Sequence, residues 1–254
     1  MRVGDRRLRA EIGIVLLLSL GQSAVYAVLS IIEKLTRPTP LNQQTTAINT
    51  SATPDRPWLD LAYQLAWLTF PLIPVVLALH LLATQRRPDE GPFRVMGFDL
   101  RRPGFDLGWG VGVFAVIGVA GLAFYLAAVE LGINTQVSTA NLAAAWWTVP
   151  VLVLRAIMNG VLEEVLMIGY LFTRWTQTGG RMWVIVVVSA FIRGGYHLYQ
   201  GFGGFLGNLV MGLVFGWLYL RIRRVMPLVI THSLLDIAAF LGAPLLPVVT
   251  AWFS

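Results

Sequence analysis

Seven apolar stretches, each close to the roughly 20 residues needed to cross about 30 Å of hydrocarbon, run through this chain at residues 12–32, 59–83, 107–131, 146–172, 182–198, 205–220 and 225–249. Backbone N–H and C=O groups in lipid must be satisfied within the segment itself, so such stretches fold as helices and pack as a bundle. The expected fold class is therefore all-α, a polytopic transmembrane helix bundle with about seven or eight spans. The eighth arises if Gly242, Pro244 and Pro247 split the last stretch. Composition agrees, with 56% hydrophobic and 13% charged residues and a mean hydropathy of +0.69, well beyond an average soluble domain.

Cysteine is absent, which excludes a thiol nucleophile, a disulfide framework and any cysteine-based metal site. The net charge of +6 is nearly all arginine, and the arginines fall between the apolar stretches. That placement speaks for cytoplasmic loops and a lipid bilayer as partner, and against nucleic acid.

The first stretch follows Arg2, Arg6, Arg7 and Arg9 but lacks a small-residue cleavage site, so it reads as an anchor and not a removed signal peptide. The N-terminus, the 85–102 loop (Arg86, Arg87, Arg94, Arg101, Arg102), the 174–181 turn and the 221–224 turn are basic and alternate with loops poorer in arginine. By the positive-inside rule the N-terminus is cytoplasmic, and the chain is expected to be integral to a membrane, taken as a bacterial plasma membrane. Residues 1–106 read as two N-terminal spans and a cytoplasmic loop. Residues 107–254 form a helix-dense part that carries the unusual polar groups.

Those groups are costly. An ionisable side chain at membrane depth costs about 2.5–3.5 kcal/mol on insertion scales, so a chain that gathers several is building a polar site. Glu163 and Glu164 are adjacent in an apolar stretch, and two later stretches carry His197 and His232. Neighbouring helical residues point about 100° apart, so one glutamate can face a site while the other takes a structural partner. Glu164 has Ile168 at i+4 and no cation one turn along, which leaves Arg193 on the next helix as the candidate partner. Arg193 and His197 are themselves i and i+4, so Arg193 beside Glu164 would bring His197 towards Glu163. His232 and Asp236 repeat the spacing, which suits mutual orientation, joint metal ligation, or donation and acceptance around a reacting carbonyl. Arg155, two turns before Glu163, could pair with either acid or with a substrate carboxylate, and His80 reads as a snorkelling interfacial residue. A water-filled crevice lined by both acids, without chemistry, is the bland alternative.

Order and spacing resemble a known family. Glu163-Glu164-Val165-Leu166-Met167-Ile168-Gly169-Tyr170 is similar to the EExxxRG motif of the CPBP intramembrane proteases, which include the type II CAAX prenyl endopeptidases and the Abi proteins linked to bacteriocin immunity. Arg193-Gly194-Gly195-Tyr196-His197 looks like the second motif, FxxxH, and His232-Ser233-Leu234-Leu235-Asp236 like the third, HxxxN/D. Ile168 stands where the family usually has arginine, and Arg193 where it usually has phenylalanine. The two departures suggest a swap in which Arg193 supplies the missing charge. Asp236 in place of asparagine keeps an acceptor and loses an amide donor, which favours orienting His232 or ligating a metal.

The resemblance implies an intramembrane endopeptidase acting on a membrane-associated peptide or protein. Glu163 and His197 would activate water, with His232 and Asp236 stabilising the oxyanion. A divalent metal, zinc above all, held by Glu163, His197 and His232 would be the alternative way to activate that water. The chain lacks an HExxH pair, a GxSG elbow with a distant histidine and a GxGD aspartate, so zincin-like, rhomboid-like and presenilin-like routes lack their residues. A small transporter, or a catalytically silent immunity or scaffold protein, remains as an alternative. Straight upright helices would leave His197 and His232 at different depths, about 22 Å and about 10 Å from the cytoplasmic side at 1.5 Å per residue. Tilt, a later helix start or a break at Gly194-Gly195 would be needed to join them.

Overall fold

The computed structural model describes residues 3–84, 91–138, 142 and 145–242. Arg2, Arg86, Arg87, Pro244 and Pro247, and with them the eighth segment, lie outside the described residues. Helices α1 (Val3–Leu16) and α2 (Gln22–Leu35) run on through a π-helical turn, Leu17–Gly21. Helices α3 (Pro57–Thr69) and α4 (Ile73–Thr84) are joined by a 3-10 turn at Phe70–Leu72, where Pro71 has no N–H to continue the ladder. A short α5 (Pro92–Met96) leads to α6 (Pro103–Glu130). Helices α7 (Thr148–Glu164) and α8 (Leu171–Gln177) are again joined by a π-helical segment, Val165–Tyr170, followed by α9 (Met182–Tyr196), α10 (Phe202–Ile222) and α11 (Met226–Gly242). Two three-residue strands, β1 (Thr45–Ala47) and β2 (Gln136–Ser138), pair in parallel across the loops at one end.

The fold is an all-α bundle, and within the described residues each apolar stretch of the sequence lies on a helical rod. Four rods are long and apolar enough to cross a membrane: Arg6–Leu35, Pro57–Thr84, Pro103–Glu130 and Phe202–Ile222. Helices α9 and α11 are apolar but shorter, and the α7–α8 rod carries the glutamate pair. Burial is inverted relative to a soluble protein. Val116 and Val119 on α6 are 72% and 75% exposed, whereas Glu164, Arg174 and Arg193 are fully buried. Lipid accepts the apolar outer faces, and the polar groups are left to satisfy one another inside.

One apolar core joins the two halves of the chain, with Ile12 and Val15 of α1 and Val75 and Leu82 of α4 packed with Leu166, Phe172, Phe215 and Leu228. Ion pairs tie the basic segments together at one end. Arg174 Nε lies 2.7 Å from Glu11 Oε1, and Tyr170 Oη donates to the same oxygen at 2.8 Å. Arg224 donates to Asp106 through Nε and Nη2, at 2.6 and 2.7 Å, and to Asp99 Oδ1 at 2.9 Å. Burial pushes the Asp99 pKa up, but the Arg224 hydrogen bond, the Arg101 backbone N–H and the nearby positive charge outweigh it and hold the carboxyl below the usual aspartate range.

Candidate active site

Three rods, α7, α9 and α11, deliver the polar groups, and small residues let them close in. A Cβ on Gly160 of α7 would stand 3.0 Å from Val229 O of α11, and one on Gly212 of α10 would stand 2.8 Å from the Ala190 Cα of α9. Both approaches require glycine, since a side chain at either position would meet the facing helix. The π-helical segment begins directly after Glu164. Such a segment breaks the regular i to i−4 ladder and is found often at functional sites.

Glu164 is the innermost group. Arg193 Nη2 donates to its Oε1 at 2.7 Å and its Oε2 at 2.8 Å, and the His232 Nδ1 lies 2.7 Å from Oε1. A carboxylate accepting from a guanidinium is ionised, so His232 Nδ1 carries the proton and donates. Arg193 Nη1 reaches Glu163 Oε2 at 3.3 Å, and its guanidinium lies over the Phe215 ring at 5.4 Å. One cation thus bridges both glutamates, as expected for Glu164 and closer to Glu163 than expected.

Glu163 Oε2 accepts a second, stronger hydrogen bond from Tyr196 Oη at 2.5 Å. His197, expected to meet Glu163, makes no hydrogen bond with it among the described residues. Its Nδ1 instead lies 3.0 Å from Arg193 O. A carbonyl only accepts, so Nδ1 carries a proton, and in neutral His197 the lone pair sits on Nε2. Helix α9 continues unbroken through Gly194-Gly195 to Tyr196, and His197 follows as its C-cap. At 15 residues and 1.5 Å per residue, α9 is about 22 Å long, shorter than the about 30 Å of a bilayer's hydrocarbon core.

Asp236 lies beyond His232 on α11. His232 Nε2 is 3.8 Å from Asp236 Oδ1, and Asp236 Oδ2 accepts from Asn159 Nδ2 at 2.8 Å. Exposure grades across the cluster: Glu164 and Arg193 are sealed, while the Asp236 side chain is 22% exposed and that of Glu163 12%. His197 is half-buried. Access is therefore from the side of Glu163, His197 and Asp236.

Arg155 joins neither acid of the pair. It donates to Asn49 Oδ1 at 3.2 Å and to Gln64 Oε1 at 2.9 Å, and lies over the Trp67 ring. Sequence reasoning passed over Tyr196 and Asn159. Both had a signal, since Tyr196 sits inside the second motif and Asn159 is one turn before Glu163.

Among the described residues, the carboxylates and imidazole whose ligating atoms all come within 4.8 Å of one another are Glu163, Glu164 and His232. His197, the third ligand of the expected zinc set, is not in that group. The guanidinium of Arg193 already occupies both Glu164 oxygens and Glu163 Oε2, so a divalent cation between the two carboxylates would face a fixed positive charge. That donor set does not suit a metal.

Residues 145–238 match the family model described as type II CAAX prenyl endopeptidase Rce1-like. The match spans α7 to Asp236 and contains all three motifs. No curated protein and no solved structure matches the chain.

Proposed function

We propose, from the match of residues 145–238 to the family model described as type II CAAX prenyl endopeptidase Rce1-like, that this membrane protein is an intramembrane endopeptidase. Its substrate is a peptide bond in a membrane-associated protein or peptide, and its water is activated by Glu163 and His197. The single observation that carries the reading is the unequal treatment of the two glutamates. Arg193 takes both oxygens of Glu164, while Glu163 is held through Oε2 by Tyr196 and Arg193. Glu163 Oε1 and His197 Nε2 have no hydrogen-bond partner among the described residues, on the accessible side of the cluster.

A water between those two atoms loses a proton to Glu163 as its oxygen attacks the substrate carbonyl, with His197 Nε2 holding the second hydrogen. The new C–O bond pushes charge onto the carbonyl oxygen, which His232 stabilises by donation from Nε2. Glu164 on one side and Asp236 on the other orient that imidazole, and an imidazolium serves both. When the C–N bond breaks, the proton on Glu163 passes to the leaving nitrogen. Asp236 has no donor to offer the oxyanion. Asn159 stands beside it with a carboxamide, which supplies by another helix the amide that the third motif lacks. No step is routed through a metal, because the clustered donors already hold a guanidinium.

The pairing of Arg174 with Glu11 and of Arg224 with Asp99 joins the basic segments of the sequence two by two, which supports placing them on one side, with the N-terminus in the cytoplasm. The direct test is cleavage of a quenched fluorogenic peptide carrying an apolar membrane anchor by the chain in liposomes. Turnover that is lost in Glu163→Gln and in His197→Ala is the result expected. Equal rates in the wild type and both variants would overturn the assignment, and a wild type with no turnover above protein-free liposomes would leave a silent scaffold.

A further inference from the structure

His197 is held in place from outside the family-matched stretch. The turn after it, Leu198–Gln200, is closed by Gly201 at φ 120°, where a Cβ would stand 2.7 Å from Ile133 O. Successive carbonyls of this turn are all occupied. His197 O accepts from Gln200 N at 3.1 Å, Leu198 O from Gly201 N at 2.9 Å, and Gln200 O from Thr135 N at 2.9 Å and Thr135 Oγ1 at 2.9 Å. Tyr199 O accepts from the ammonium of Lys34, at the end of α2.

Lys34 is the only lysine among the 19 lysines and arginines of the chain, and it is 8% exposed. Its ammonium also donates to Thr46 Oγ1 at 2.9 Å and to Ser30 Oγ at 3.3 Å. Three N–H bonds meet three neutral acceptors. A tetrahedral ammonium fits that arrangement, whereas the flat fork of arginine does not. Thr46 Oγ1 lies 2.6 Å from Thr135 Oγ1, so the hydrogen bonds run from α2 through β1 and back to Gln200 of the same turn. Pairing of β1 with β2 fixes Thr46 against Val137 and holds this route in register.

Building on the peptidase reading, we infer that Lys34 is a positioning residue for His197. It pins Tyr199 O, the Tyr199–Gln200 segment anchors His197 O, and the imidazole is thereby kept on Arg193 O with Nε2 free for water. The first rod thus becomes part of the catalytic apparatus without touching substrate.

The test uses the full chain in lipid nanodiscs, the anchored fluorogenic peptide, and nitrogen NMR of labelled histidine reading the His197 Nδ1–H. In Lys34→Met, kcat falls about tenfold or more while KM stays within about twofold, and the Nδ1–H signal shifts or broadens. Lys34→Arg keeps the charge but not the three placed donors and behaves like Lys34→Met. Wild-type kcat in either variant overturns the inference. Thr46→Val, which removes one acceptor, lowers kcat in the same direction and carries the test if Lys34→Met does not fold. Should Glu163→Gln cleave at the wild-type rate, the peptidase reading fails separately, and the His197 signal in Lys34→Met then decides the clamp alone.

Discussion

Arg193 Nη2 holds both oxygens of Glu164, at 2.7 and 2.8 Å, in a site where neither side chain exceeds 1% exposure. A buried pair like this is costly to break and cheap to replace whole, because removal of one partner strands a desolvated charge. Arg193→Met should therefore destabilise the protein by about 3–5 kcal/mol, and the double variant Glu164→Gln with Arg193→Met should recover most of that without recovering activity. Thermal unfolding in detergent, arranged as a double-mutant cycle, checks it.

The proposed swap of charge between Ile168 and Arg193 has its own test. Arg193→Phe alone should be harmful, and Ile168→Arg should rescue it in part. Equal damage in the single and double variants, by unfolding and by peptide cleavage, would end the compensation argument.

Glu163→Gln should lower kcat about a hundredfold to ten-thousandfold with little loss of stability. The amide cannot take a proton from water, yet its oxygen still accepts from Tyr196 Oη. Tyr196→Phe removes that hydrogen bond to a charged oxygen and should cost about tenfold in kcat. Steady-state cleavage of the anchored peptide, alongside thermal unfolding, separates these effects.

Acid should loosen the basic end of the bundle. The Asp99 carboxyl is held below its ordinary range, so it contributes stability that is complete above its unfolded pKa, about 4, and is lost as pH falls through the lower folded value. Asp99→Asn should lower the melting temperature at pH 7 and flatten its decline on acidification below about pH 4. Melting curves of wild type and variant between neutral and acid pH provide the comparison.

Strong chelators should leave cleavage unchanged. The clustered carboxylates already surround a guanidinium, so activity measured before and after prolonged chelation, and after zinc is added back, should agree.

Apolar stretches of the right length, a cysteine-free composition and three spaced motifs determined the helix bundle and nominated Glu163, Glu164, Arg193, His197, His232 and Asp236. Those features are local, since hydropathy over about 20 residues and an i, i+4 spacing depend on neighbours along one helix. The sequence also pointed from Glu164 to Arg193, because a buried acid with no cation on its own face must find one on another helix.

What no local pattern carries is how side chains from different rods meet. Only the packing of α7, α9 and α11 decided that Tyr196 and not His197 hydrogen-bonds Glu163. The same packing turned Asn159 to Asp236, while α3 and the loop before it drew Arg155 away to Gln64 and Asn49, and α2 set Lys34 against Tyr199 O. These contacts join residues far apart in the chain, and those between α7 and α11 depend on the close approach that Gly160 allows. Their donors and acceptors, out of water, had to find partners wherever the crossings placed them.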